Sequence, residues 1–149
     1  MRGTNVLSDA LANLLAADAT TLAALTAMHA HLIAAPFSPS GTTDFTTLTE
    51  ATFTGSAAKL AGTGTQQVFT DPSTGQLQIQ ILEPSGGWTW ICTATPGAPE
   101  TIYGIVLTDN ANTVTYGSLT FTSPITISAA GQAIHFPYLT FALANPPLT

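Results

Sequence analysis

Between residues 76 and 81 the chain reads Gln76-Leu77-Gln78-Ile79-Gln80-Ile81, polar and apolar residues alternating without error. A period of two sends successive side chains to opposite faces of an extended strand, so this segment suits a sheet with one covered and one wet face. The flanking residues punctuate it. Asp71-Pro72-Ser73-Thr74-Gly75 is a turn in which proline presets the first central φ and glycine accepts a positive one. Ser85-Gly86-Gly87 turns the chain into Trp88-Thr89-Trp90-Ile91-Cys92-Thr93, and Pro96-Gly97-Ala98-Pro99 breaks it again. Thr101 to Thr108 is nearly all apolar and reads as a central strand. Asp109 to Asn112 is a hairpin turn leading into Thr113 to Phe121, Ser123-Pro124 marks a bend before Ile125 to Ser128, and Ala130-Gly131 turns into a last strand, Ala133 to Leu143. Shorter candidates lie at Lys59 to Ala61 and Gln66 to Phe69. Short strands with turns every 8 to 12 residues predict a mainly β protein, an antiparallel β-sandwich or jelly roll.

The first quarter has a different period. Ser8 can cap a helix in which Leu11, Leu14 and Leu15 recur at helical spacing, interrupted at Asp18 and resumed through Leu22 and Leu25. The expectation is a helical arm over residues 1–26, with helix between about 6 and 25, ahead of a β-sandwich domain over 27–149. From Ala27 the period returns to two. His29 and His31 alternate with Met28, Ala30 and Leu32, as in a half-exposed strand, until Pro36 and Pro39 end it. Residues 38–56 form a Thr-rich loop with Leu48 and Phe53 as anchors and one helical turn near Leu48 to Ala51. A loop this long either wraps the domain or reaches a partner.

Charge narrows the partners. The net charge is −6, and Arg2 and Lys59 are the only basic residues, too few to neutralise nucleic-acid phosphates or to hold an anionic membrane surface. Charged residues make up 7% of the chain against about 25% in ordinary domains, which suits a surface covered by neighbours. No window reads as a membrane span or a convincing secretory signal, since the Ala/Thr-rich stretch 16–35 carries Asp18, His29 and His31. Cys92 stands alone, which excludes an internal disulfide and a cysteine zinc cage.

Candidate chemistry is sparse. There is no Gly-x-Ser-x-Gly elbow, P-loop or dinucleotide fingerprint, and Asp71 and Asp109 sit in turns. His29 and His31 share a strand face and could bind one metal, with His135 or a distant carboxylate as third ligand. Solvent-facing or interface histidines are the simpler reading. Trp88 and Trp90 also share a face and fit three uses: core, interface anchor, or a platform on which a sugar ring stacks.

A resemblance can be stated on particular residues. The order Ala27 to Pro39, Leu48-Thr49-Glu50-Ala51-Thr52-Phe53-Thr54-Gly55, the strand and turn Thr101-Ile102-Tyr103-Gly104-Ile105-Val106-Leu107-Thr108-Asp109, and Phe121-Thr122-Ser123-Pro124 resembles that of small proteins encoded among tailed-bacteriophage structural genes. Ser56 stands where that group often has an aromatic residue. The resemblance implies a virion component assembled in the host cytoplasm, such as a capsid decoration (cement) protein or a tail-associated protein. Its expected partners are the major capsid or other virion proteins and its own copies; the sparse charges and the lack of coupled titratable groups add the expectation of no nucleic acid, membrane, cofactor, metal or catalysis. Expected interface residues are Val6, Leu11, Leu14 and Leu15 in the arm, and Trp88, Trp90, Phe136 and Tyr138 on strands. The alternatives are a tail-associated carbohydrate-binding module using Trp88 and Trp90, and a metal-dependent jelly-roll enzyme using His29 and His31.

Overall fold

The computed structural model describes residues 3–7, 29–40, 43–60, 66–70, 77–82, 88–109, 111–136 and 138–142. Over these residues the protein is mainly β, built of antiparallel sheets. Its strands are β1 (Gly3–Leu7), β2 (His29–Ile33), β3 (Lys59–Leu60), β4 (Gln66–Thr70), β5 (Leu77–Leu82), β6 (Trp88–Ile91), β7 (Glu100–Thr108), β8 (Thr115–Ile127), β9 (Ala133–Phe136) and β10 (Tyr138–Ala142). A five-stranded sheet runs β1-β8-β7-β2-β3, a three-stranded sheet β10-β5-β4, and β6 pairs with β9.

Both faces of β2 are buried. Ala30 and Leu32 pair with Leu107 and Ile105 and join the core, while His31 and Ile33 occupy the opposite face with Val106 and Gly104. The core is shared between this sheet and the β6–β9 ribbon. Ile102, Ile105, Leu107, Phe121 and Ile127 meet Trp88, Trp90, Ile134 and Phe136, with Ala51 and Phe53 supplied by the loop after β2. Phe136 stacks on Phe121 at a centroid distance of 5.4 Å and meets Trp90 edge-on at 6.4 Å, the two geometries aromatic pairs prefer.

Several expectations are corrected. Gly3–Leu7 is a strand paired to β8, with Val6 opposite Ser118, so Val6 does not belong to a helical stripe. The helical reading of residues 8–25, with Leu11, Leu14 and Leu15, lies outside the described residues. Trp88, Trp90 and Phe136, expected at an interface, are at most 4% exposed, because the pairings Trp88–Phe136 and Trp90–Ile134 put them on the inner face of the ribbon. Tyr138 opens β10, opposite Leu82. Pro124 does not end a strand. From Ile102 to Gly104, β7 advances two residues while β8 goes from Ile125 to Thr120, so Pro124 lies in a bulge where its missing N–H breaks no ladder. The expected last strand is two: β9 pairs with β6 and β10 with β5.

Candidate functional site

The loop after β2 is where the polar chemistry converges. It crosses its own sheet: Ala51 N–H donates to Leu32 O at 2.9 Å, Ala34 N–H to Thr49 O at 2.8 Å, and Glu50 bridges Ile33. Residues 43–51 thus form a strap that extends the edge of β2 beyond its short pairing with β3. The strap's single 3-10 turn is Phe45–Thr47, earlier than the expected Leu48 to Ala51. The reason is its cap: Asp44 accepts from Thr46 N–H at 2.9 Å and Thr46 Oγ1 at 2.7 Å, a local arrangement that starts a turn where it sits. Those bonds, the hydroxyl's first, hold the Asp44 carboxyl below its ordinary range.

Beneath the strap lies His31, only 2% exposed. The expected solvent or interface position is corrected here, because the strap covers this face of β2. The ring of Phe45 packs on the imidazole at a centroid distance of 4.4 Å. His31 Nδ1 lies 2.8 Å from Glu50 Oε1, and Nε2 lies 3.0 Å from Thr108 Oγ1. Thr108 in turn reaches Asn112 Oδ1 at 2.9 Å and Asp109 O at 3.0 Å. Carboxylate, imidazole and hydroxyl are therefore connected in the order a hydrolytic triad uses. The location differs from an active site. Thr108 is fully buried, so its oxygen is closed to any substrate, and it already faces two turn acceptors. The arrangement can hold the strap to the sheet and the sheet to the turn.

The turn itself is built around Asp109. Its carboxylate accepts from Thr113 N–H at 2.6 Å, Val114 N–H at 2.9 Å and Thr113 Oγ1 at 2.9 Å, while Asn112 takes the left-handed region with φ 58°. Desolvation pushes the carboxyl up, but the N–H groups of Val114, Thr113 and Ala111 with the Thr113 hydroxyl outweigh it and hold it below its usual range. Tyr116 moves the other way, raised by burial and then by the Asp109 charge.

A second anchor follows the strap. Glu100 accepts from Thr52 N–H at 2.9 and 3.0 Å, Thr52 Oγ1 at 3.1 Å and Phe53 N–H at 2.8 Å, tying the loop to the start of β7. Ser56 Oγ donates to Ala51 O at 2.8 Å, and Trp90 Nε1 donates to Ala57 O at 3.1 Å. Gly55, at φ 108°, lies so close to Ile91 O that a Cβ would collide with it. Gly104 is equally constrained, since a Cβ there would strike Leu119 O and the ring of Phe37. An open cleft of about 440 Å³ lies beside the Glu100 anchor, between Thr52–Thr54 and Thr95–Glu100.

The candidate metal ligands are not gathered. His29 meets His31 edge-on at 6.2 Å, both nitrogens of His31 are engaged, and His135 lies on the outer face of the ribbon with Nδ1 2.8 Å from Thr89 Oγ1. Among the described residues, no group of three or more His, Cys, Asp or Glu side chains stands ready for a metal ion. Cys92 is buried, its Sγ 3.1 Å from Ala94 O. Sequence reasoning did not find the His31 network, because its members lie 19 and 77 residues apart. Compared with protein-family models, curated proteins and solved structures, the chain matches none of them.

Proposed function

We propose that this chain is a structural component of a tailed-phage virion, a capsid decoration (cement) protein that binds the coat lattice and its own copies. In this reading the antiparallel sheets form a β-sandwich or jelly roll whose outer surface does the work. One observation carries it. The polar side chains capable of chemistry are engaged in holding loops: Glu50 and Thr108 on His31, Asp109 on its turn, Glu100 on Thr52 and Phe53. Short, uncharged residues face outward at Thr93, Ala94, Thr95, Ser128, Ala129 and Ala130, alongside the exposed Asp44, Gln132 and His135. A rigid, weakly charged surface suits lattice binding. Contacts of order 1 mM, about 4 kcal/mol each, become durable when one subunit bridges two neighbours and the second contact is intramolecular.

The carbohydrate reading has less support, because Trp88 and Trp90 are core residues with no ring face open for a sugar. The test is sedimentation of the purified chain, alone and mixed with empty coat-protein shells of the phage that encodes it. Self-association or saturable binding to the shells is expected. A monomer at high concentration with no affinity for shells overturns the proposal.

A further inference from the structure

We propose that His31 carries a proton signal from the strap to the β7–β8 turn. Thr108 Oγ1 has one hydrogen and three polar neighbours: His31 Nε2 at 3.0 Å, Asp109 O at 3.0 Å and Asn112 Oδ1 at 2.9 Å. The last two are acceptors. With Nδ1–H donated to Glu50, a bare Nε2 draws the Thr108 hydrogen to itself, and both turn acceptors lose the hydroxyl, Asp109 O keeping only the Asn112 N–H at 3.1 Å. When Nε2 gains a hydrogen, it donates to Thr108 Oγ1, and the hydroxyl swings to Asn112 or Asp109. The imidazolium state therefore forms one continuous chain of donors from Glu50 to the turn. Rotation about a single C–O bond transmits the change.

The surroundings suit both states. Glu50 supplies an opposite charge at 2.8 Å, with 40% of its side chain exposed so that the carboxylate stays solvated. The face of Phe45 is available to a cation. Among the described residues, the titratable groups near this network are Glu50 and Asp44 on the strap, the latter also held below the ordinary carboxyl range, His29 on β2, Asp109 in the turn and Tyr116 on β8. Asp109 is held below the ordinary carboxyl range and Tyr116 above the ordinary phenol range, so neither changes charge between about pH 5 and 8, where imidazoles do. A response of the turn in that window must come from a histidine or from Glu50, and the variants separate these. The inference does not depend on the virion reading.

The experiment is an NMR titration of the full-length, 15N-labelled chain from pH 8 to pH 5, following the His31 ring and the amides of Asn112, Thr113 and Val114. The amides are expected to move with the same midpoint as the ring. Thr108→Val should leave the ring titrating while the turn stays still, and Thr108→Ser should restore the movement. Glu50→Gln should shift ring and turn midpoints together to lower pH, and His29→Gln should leave the turn response in place. Turn amides that stay fixed through the His31 titration, or that follow His29 instead, overturn the proposal. Should Thr108→Val fail to fold, Glu50→Gln still decides: a ring midpoint that moves without the turn contradicts it.

Discussion

Gly104 shows how little freedom single positions have. It sits where β8 and the ring of Phe37 both approach β7 closely, so a methyl group would have to displace backbone. Gly104→Ala should lower stability by about 1–3 kcal/mol, the usual cost of overpacking, read as an earlier denaturant midpoint with unchanged slope. Ser118 and Ser56 make a contrasting pair. Both are buried, but Ser56 Oγ donates to Ala51 O, whereas Ser118 Oγ has no hydrogen-bond partner among the described residues. Ser56→Ala should cost about 1 kcal/mol, and Ser118→Ala should be neutral or stabilising by a similar amount, because it removes a desolvated polar group that gains nothing in return. Equal losses in both variants would contradict the hydrogen-bond assignment. Trp88 Nε1 has no hydrogen-bond partner among the described residues either, and its ring packs in the core.

At the scale of elements, the strap and the segment after it are held from three sides: the β2 edge, His31 and Glu100. Replacing Glu100 with alanine leaves the Thr52 and Phe53 amides without their acceptor. About 2 kcal/mol of stability should go with it, with faster amide exchange confined to residues 52–53 and their neighbours. The Asp109 turn makes a pH prediction. Its carboxyl titrates lower folded than unfolded, so the turn's stabilisation is complete above about pH 4 and is lost as pH falls through the lower folded value. Amide exchange at Thr113 and Val114, corrected for its intrinsic pH dependence, should report that loosening on acidification; unchanged protection would contradict the assignment. These elements were unequally legible. The β5, β6 and β7 strands and the Asp109–Asn112 turn follow from period and turn chemistry, which act locally. The burial of His31 does not, because it depends on a strap whose route is set by Glu50 and Phe45 arriving from elsewhere in the chain. Pro137 was a readable signal for the division of β9 from β10, since proline cannot continue a ladder. The residues of the resembling motifs were visible from the start, but their roles were not. Glu50, Phe53, Gly55, Gly104, Thr108 and Asp109 turn out to clamp, fill or clear space, and only coordinates reveal which does which.

For the whole molecule, few charges and a polar set engaged in holding loops suit the proposed work by surface complementarity. Pairing across β1 and β8 places residues 3–7 at the margin of the main sheet, so deleting them unpairs β8 and should promote aggregation through the bared edge. The most direct test of the proposed assembly function is a cryo-EM reconstruction of purified particles of the phage that, on this proposal, encodes the chain. The account predicts density for this chain at regular positions on the coat lattice, in copy number fixed by the shell's symmetry. Particles that lack the chain altogether would contradict it.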